Sequence, residues 1–147
     1  MTVRDVPPGG DQRDLAAVSG AQASVRLFTG DVVATVRPDA TLQEAAEALV
    51  ADDVGLLVVG TAEQVEAVVS ERDLVRAIAL GRDLQTTLVR DVASRRLVWC
   101  DATAIVAEVG ELMMEQYVRH VLVEDAERLV GVVSARDLLG AYVSEPD

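Results

Sequence analysis

Two serine–aspartate pairs carry the side chains of this sequence that are best placed to do chemistry. Ser70 and Asp73 stand in the run VVSERDL, and Ser134 and Asp137 stand in the matching run VVSARDL near the end of the chain. An apolar pair that ends in Ser, with Asp three residues on, predicts a strand leading into a capped helix. A helix N-terminus also presents unpaired N–H groups that can receive a phosphate. Helix capping and ligand binding therefore both stay open for these side chains.

The elements that must position these pairs follow one order in both halves of the chain. Thr41 and Glu44 have capping-box spacing before a helix, and apolar runs at 54–59 and 65–69 predict two strands of a hairpin. A short strand at 32–36 precedes them. The second half repeats this order in segments 97–100, 106–117, 118–123 and 129–133. Each half is therefore predicted to be a β-α-β-β-α module, as expected for a duplicated supersecondary unit.

A second repeat predicts a small difference in length between the two halves. Asp39-Ala40-Thr41, before the first helix, is matched by Asp101-Ala102-Thr103, and this offset is slightly shorter than the one between Ser70 and Ser134. The second copy is therefore expected to be two residues longer within or beside its first helix. A half of roughly 50 to 55 residues would not bury a comfortable core alone. The fold class expected is α/β (α+β): two repeats related by a pseudo-two-fold axis, with sheets packed face to face and helices outside.

Charge and cysteine content exclude several classes of partner. The 13 basic and 25 acidic residues give a net charge of −12, which disfavours nucleic acid and an anionic membrane surface. No apolar run approaches the ~18 residues that span a bilayer. Cys100 is the single cysteine, so no intrachain disulfide can form, and no apolar signal-peptide region is present. These features favour a cytoplasmic location.

The repeated motif resembles a known family, the CBS domain, named after cystathionine β-synthase. CBS domains occur in tandem pairs called Bateman modules, and residues 31–143 resemble such a pair in the two Ser-x-Arg-Asp runs and the order of elements. The chain is similar to short bacterial CBS-pair proteins without an attached domain. The resemblance implies an N-terminal tail or arm at 1–24, a first repeat at 25–82 and a second repeat at 83–147.

The resemblance implies a regulatory function without catalysis. CBS pairs bind adenosine-containing ligands, namely AMP, ADP, ATP or S-adenosylmethionine, in clefts between the repeats, which implies energy sensing and no required cofactor. Without an attached effector domain, such a module would act in trans on an unknown protein partner. CBS pairs also commonly dimerise, and apolar helix positions such as Leu138, Leu139 and Tyr142 favour a homodimer.

The family pattern also implies binding residues, position by position. Asp73 and Asp137 would accept hydrogen bonds from ribose hydroxyls, and Ser70 and Ser134 would face ribose or phosphate. The other implied contacts are Thr35, Val36, Trp99 and Cys100 along the base, and Arg72, Arg119, His120 and Arg136 at the phosphate. Trp99 would either stack on an adenine or fill the cleft and exclude it.

The two halves differ where such a ligand would bind. The second presents Arg119 and His120 where the first presents Gly55 and Leu56, which favours the Asp137 site for a phosphorylated ligand. The alternative is a structural or interaction protein that keeps the fold and binds no nucleotide. An enzyme is disfavoured because the sequence holds no nucleophile–base pair, no set of metal ligands and no Walker-type phosphate loop.

Overall fold

A computed structural model of this chain describes residues 2–6, 20–30 and 33–143. The packing separates two units within them. The first unit contains residues 33–97, and the second combines residues 98–143 with the described residues before 33. None of the helices described here has the length and apolarity that a membrane crossing requires.

The first unit is a three-stranded mixed sheet covered by helices. Its elements in chain order are β2 (Thr35–Val36), α1 (Leu42–Asp52), β3 (Leu56–Gly60), β4 (Val65–Ser70), α2 (Glu71–Ala79) and α3 (Val89–Val92). The strand order is β2-β3-β4, with β2 parallel and β4 antiparallel to the central strand. This confirms the predicted β-α-β-β-α order, to which the structure adds the short helix α3.

Helix α1 begins where the capping-box spacing predicts. The Glu44 backbone N–H donates to Thr41 Oγ1 at 3.1 Å, which satisfies one of the first amides of the helix. Leu42, Ala45 and Leu49 are buried on one face and pack against the sheet in the core of the first unit. The helical spacing of the apolar residues therefore sets the face that α1 turns towards the strands.

The second unit repeats this architecture and adds one strand. Its elements are β1 (Thr2–Val6), two short 3₁₀ helices (Gly20–Gln22 and Val25–Phe28), β5 (Leu97–Asp101), α4 (Val106–Gln116), β6 (His120–Asp125), β7 (Arg128–Ser134) and α5 (Ala135–Val143). The strand order is β1-β5-β6-β7. Strand β6 is parallel to β5 and antiparallel to β7, as β3 is to its neighbours in the first unit. The mixed α/β class is confirmed, and β1 was not predicted.

The predicted length difference between the two copies is wrong. Thr41 precedes α1 and Ile105 precedes α4, so the helix starts are separated by the same offset as the two Ser-x-Arg-Asp runs. Asp101 therefore aligns with Arg37. The Thr103 backbone N–H and hydroxyl donate to Asp101 Oδ2 at 2.9 and 2.6 Å. This local turn precedes the helix. It has the same Asp-Ala-Thr sequence as the segment before α1, but it lies at a different distance from the helix start.

The packing differs from the sequence-based boundaries at residues 25 and 83. The segment 83–97 packs in the first unit, where Val89 is fully buried, and Val25 is fully buried in the second unit. The core of each unit is thus completed by a buried valine from outside its own β-α-β-β-α stretch. Of the predicted tail or arm at 1–24, strand β1 and residues 20–24 join the second unit as an arm, whereas residues 7–19 lie outside the described part.

Candidate functional site

The first Ser–Asp pair lies where β4 ends and α2 begins. The Ser70 backbone N–H and hydroxyl both donate to Asp73 Oδ2, at 2.9 and 3.1 Å. The Asp73 backbone N–H donates in return to Ser70 Oγ at 3.2 Å. These bonds form a capping box in which Asp replaces the usual Glu, which confirms the capping role predicted for this pair.

The second pair has the same cap with one bond fewer. The Ser134 backbone N–H donates to Asp137 Oδ2 at 2.8 Å, and the Asp137 backbone N–H donates to Ser134 Oγ at 3.0 Å. Unlike the Ser70 hydroxyl, the Ser134 hydroxyl donates to no group that the structure describes. The Ser134 hydroxyl proton therefore remains available at the start of α5.

The two junctions also differ in the contacts of the second carboxylate oxygen of each aspartate. Asp73 Oδ1 lies 3.7 Å from Arg76 Nη1, one helical turn on. The equivalent position in α5 is Gly140, and the space around its Cβ position is open. Within the described residues, Asp137 Oδ1 has no hydrogen bond or ion pair. Sequence reasoning missed this difference, although comparing the two repeats three residues after each Asp would have revealed it.

Strand register brings Arg119 and His120 to the second junction. His120 is paired with Ser134 across the β6–β7 ladder. The Ala135 backbone N–H, the first of α5, donates to the Arg119 carbonyl at 2.8 Å. Leu56 and Gly55 hold the same positions in the first unit, where Leu56 is paired with Ser70. The second junction therefore carries an exposed guanidinium and a half-buried imidazole that the first lacks.

Arg72 and Arg136 lie in the first turn of α2 and α5, two residues after the capping serines. Both side chains are exposed and make no ion pair within the described residues. A helix N-terminus carries partial positive charge and disfavours a cation in its first turn. Helix stability therefore does not explain these arginines, whereas an anion at the helix start would.

The predicted base-lining residues lie on equivalent strands. Thr35 and Val36 on β2 pair with β3, and Trp99 and Cys100, their counterparts on β5, pair with β6. In each sheet these residues are two strands away from the Ser–Asp pair, ~10 Å across the sheet. The fold thus assembles the polar junction at the start of the helix and keeps the proposed base contacts apart from it.

Burial limits what the β5 side chains can contribute. The Cys100 side chain packs in the core of the second unit with Val98 and Val121, so only its backbone is placed to face a ligand. Burial, assisted by the charge of Asp101, raises the pKa of the Cys100 thiol to about 12. Trp99 is only 5% exposed, and Thr35 at the equivalent position is exposed. Of the two predicted roles of Trp99, filling space agrees better with this burial.

Metal binding has little basis in the part of the chain that the structure describes. No group of three or more His, Cys, Asp or Glu side chains there is arranged to hold a metal ion. His120 lies beside Ser134 on the neighbouring strand, without carboxylates or a thiolate arranged as co-ligands. The chemistry available at the junctions is hydrogen bonding to hydroxyls and attraction of an anion.

Comparison with known proteins identifies relatives of this architecture. The model of a protein family described as the CBS domain matches residues 27–80 and 89–144. The CBS domain-containing protein YhcV of Bacillus subtilis is 35% identical over 117 residues, which cover 79% of this chain and 83% of that protein. Arabinose 5-phosphate isomerase KdsD of Yersinia pestis is 29% identical over 118 residues. The matched stretch spans only 36% of the isomerase.

A solved structure extends the likeness to three dimensions. A CBS domain protein of Pyrobaculum aerophilum, complexed with AMP, superposes with a TM-score of 0.70 at 29% identity. The superposition covers 82% of this chain and 98% of that chain. The likeness therefore extends over almost the whole of that AMP-bound protein.

Proposed function

This chain belongs to the CBS domain family, and we propose that it is a non-catalytic regulatory module that binds an adenosine nucleotide at its second strand–helix junction. It would act in trans on a protein partner. The isomerase relative lends no support to catalysis, because the match spans 36% of that enzyme.

The observation that carries the proposal is the incomplete hydrogen bonding of Ser134 and Asp137. Asp137 Oδ2 is used by the cap, while Asp137 Oδ1 and the Ser134 hydroxyl proton have no partner among the described residues. A ribose hydroxyl can donate to the free carboxylate oxygen, and a phosphate oxygen can accept from the serine hydroxyl. In the first junction, the Ser70 hydroxyl already donates to Asp73 Oδ2, and Arg76 already contacts Asp73 Oδ1.

The phosphate would be held by the helix start and the basic side chains around it. Arg136 and Arg119 are exposed at this end of the sheet, and His120 is opposite Ser134. A chain with a net charge of −12 repels anions overall, so a local basic group is needed to hold one. The AMP complex of the Pyrobaculum aerophilum protein supports AMP as the first ligand to try.

The experiment is a thermal-shift series with AMP, ADP, ATP, S-adenosylmethionine and adenosine. Stabilisation grows as RT ln(1 + [L]/Kd), so millimolar ligand reveals micromolar binding. We expect a shift for at least one phosphorylated ligand, lost in Asp137→Ala. The matched control is Asp73→Ala, which removes the equivalent cap in the first unit and should keep the shift. No shift with any ligand in the unaltered protein would overturn the proposal.

The second candidate is an interaction protein that binds no nucleotide. It is favoured by the cap geometry, because helix capping alone explains Ser70 and Asp73 completely. The burial of Trp99 also favours it, since a filled site excludes a base. Under this function the two Asp→Ala variants lower stability alike, and neither changes any ligand response.

A second copy of this chain is the assembly partner that we propose. Leu139 and Tyr142 on α5 are exposed, and so are their equivalents on α2, Val75 and Ile78. Leu138 was expected to share this surface, but it is buried in the core of the second unit. Apolar side chains that recur at equivalent positions of both repeats suit a symmetric contact between two copies.

A further inference from the structure

The second unit depends on a segment from the far end of the sequence. Residues 20–30, called the strap below, place Val25 fully buried in the core of that unit. The Val25 backbone N–H donates to the Ala104 carbonyl at 2.7 Å, and the Arg26 N–H donates to the Ala102 carbonyl at 3.3 Å. The Ser24 hydroxyl donates to the same Ala102 carbonyl at 2.7 Å.

The equivalent place in the first unit is filled by the segment between the repeats. There the Val89 backbone N–H donates to the Ala40 carbonyl at 2.8 Å, and the Arg90 N–H donates to the Pro38 carbonyl at 3.0 Å. That segment follows α2 directly and leads into β5, so it is held at both ends. The strap is separated from residue 98 by the whole first repeat, and its docking closes a long loop at a cost in chain entropy.

The strap and the sheet approach each other so closely that one added side-chain carbon at the contact would disturb the docking. A Cβ on Gly131 would lie 2.7 Å from Thr29 Cβ, well inside contact distance. The equivalent pair in the first unit is Ala67 and Ala93, both at least partly buried in its core. Compared with the first unit, the second unit therefore has a larger residue on the strap, Thr29 in place of an alanine. It has a smaller residue on the strand, Gly131 in place of an alanine.

We propose that the strap is releasable and that its docking is coupled to the state of the second strand–helix junction. Thr29 lies against Gly131 of β7, three residues before Ser134. The strap also packs on α5, which begins at Ala135, and it is hydrogen-bonded just beyond β5. It thus contacts β7 and α5, the two elements that hold Ser134, Arg136 and Asp137. The coupling, though not the release, rests on the proposed function.

The strap is held by few interactions for its length. Val25 is its only fully buried side chain among the described residues, and Leu27 is 69% exposed. Val25, the partly buried Phe28 and a few hydrogen bonds must offset the conformational entropy lost by ordering the whole segment. The docked and released states therefore lie close enough in free energy for a ligand to shift the population. A ligand that fastens β7 to α5 favours the docked state.

The experiment compares trypsin cleavage after Arg26, an exposed residue, in three full-length proteins. These are the unaltered chain, Gly131→Ala, and Thr29→Ala/Gly131→Ala, which recreates the Ala–Ala pair of the first unit. We expect cleavage at least about fivefold faster in Gly131→Ala, the low end of usual coupling, and a return towards the original rate in the double variant. AMP should slow the cleavage. By reciprocity, the factor by which saturating AMP stabilises the docked strap equals the ratio of the AMP affinities of the docked and released states.

Circular dichroism verifies that each variant folds. If Gly131→Ala does not fold, Val25→Ala replaces it, because this substitution loosens the strap without adding an atom. Equal cleavage rates in all proteins would overturn the release. Cleavage that saturating AMP does not slow, although AMP stabilises the chain, would overturn the coupling and leave the proposed function intact. Failure of every ligand in the thermal-shift series to stabilise the unaltered chain would reject the proposed function and the coupling together, while the cleavage rates would still decide whether the strap is releasable.

Discussion

Asp73 Oδ1 lies 3.7 Å from Arg76 Nη1, and the matching contact is missing from the second repeat because Gly140 stands at the position of Arg76. The Arg76 side chain is 64% exposed, so the ion pair adds little to stability. Its consequence is for binding, since a guanidinium beside the carboxylate competes with a ribose hydroxyl. Two junctions with the same helix cap thereby differ in their capacity for a ligand.

Gly140→Arg should convert the second junction into a copy of the first. The new guanidinium would reach Asp137 Oδ1 across open space, and we expect the AMP-induced thermal shift to fall by half or more. Gly140→Ala is the matched control, because it gives the same gain in helix propensity of about 1 kcal/mol without a charge. A shift that is equally large in both variants would show that Asp137 Oδ1 does not bind the ligand.

Removing the capping hydroxyls should separate the structural role from the ligand role. Ser70→Ala and Ser134→Ala each remove the acceptor of one helix N–H, and each should lower the free energy of unfolding by about 1 kcal/mol. Only Ser134→Ala should also reduce the response to AMP. Urea denaturation with and without ligand measures both quantities, and a ligand effect in Ser70→Ala alone would contradict the assignment.

The β6–β7 turn should be a site of easy stabilisation. Ala126 and Glu127 join the strands as a two-residue loop with φ values of 52° and 64°, the signs required by a type I′ turn. Residues other than Gly and Asn are strained there by roughly 1 kcal/mol each. Ala126→Asn/Glu127→Gly should therefore raise Tm. Glu127→Ala removes the same charge but keeps the strain, so a rise of equal size in that control would refute the explanation.

The single cysteine should make stability depend on alkaline pH. The pKa of the Cys100 thiol is raised from 9.0 to about 12 by burial and by Asp101. The unfolded chain therefore ionises this thiol first. The contribution of the neutral thiol to the free energy of unfolding is complete below pH 9. It is lost as the pH rises towards 12, by at most about 1.4 kcal/mol per pH unit. Chemical denaturation from pH 8 to 11 should show a flatter profile for Cys100→Ala, and parallel profiles would exclude a buried thiol.

Leu139→Arg should dissociate the proposed homodimer. The Leu139 side chain is 66% exposed on α5, and a charge in the centre of an apolar contact leaves an unpaired ion without water. Leu27→Arg is the control, because Leu27 is equally exposed on the strap and outside the proposed contact. Light scattering should give the monomer mass for Leu139→Arg alone. A monomer mass for the unaltered chain would exclude the dimer.

The sequence by itself determined the repeated module and its helix starts. Ser70 and Ser134 stand between an apolar strand and an Asp three residues on, and this local pattern was sufficient to predict both caps. Thr41 was predicted for the same reason. These features depend on neighbours within one helical turn, whose spacing is directly visible in the chain. The Asp-Ala-Thr repeat led to a wrong prediction of a length difference, because the same three residues form turns at different distances from the two helix starts.

Only the tertiary structure decided which segments complete each core and which side chains remain available at the junctions. Val25 belongs to the second unit although it precedes every described residue of the first unit in the sequence, and Cys100 turns its thiol into the core. The close approach of Thr29 to Gly131 and the open space around the Gly140 Cβ position also depend on distant parts of the chain. No local pattern records such contacts, because their energies come from burial and packing between residues that meet only when the chain has folded.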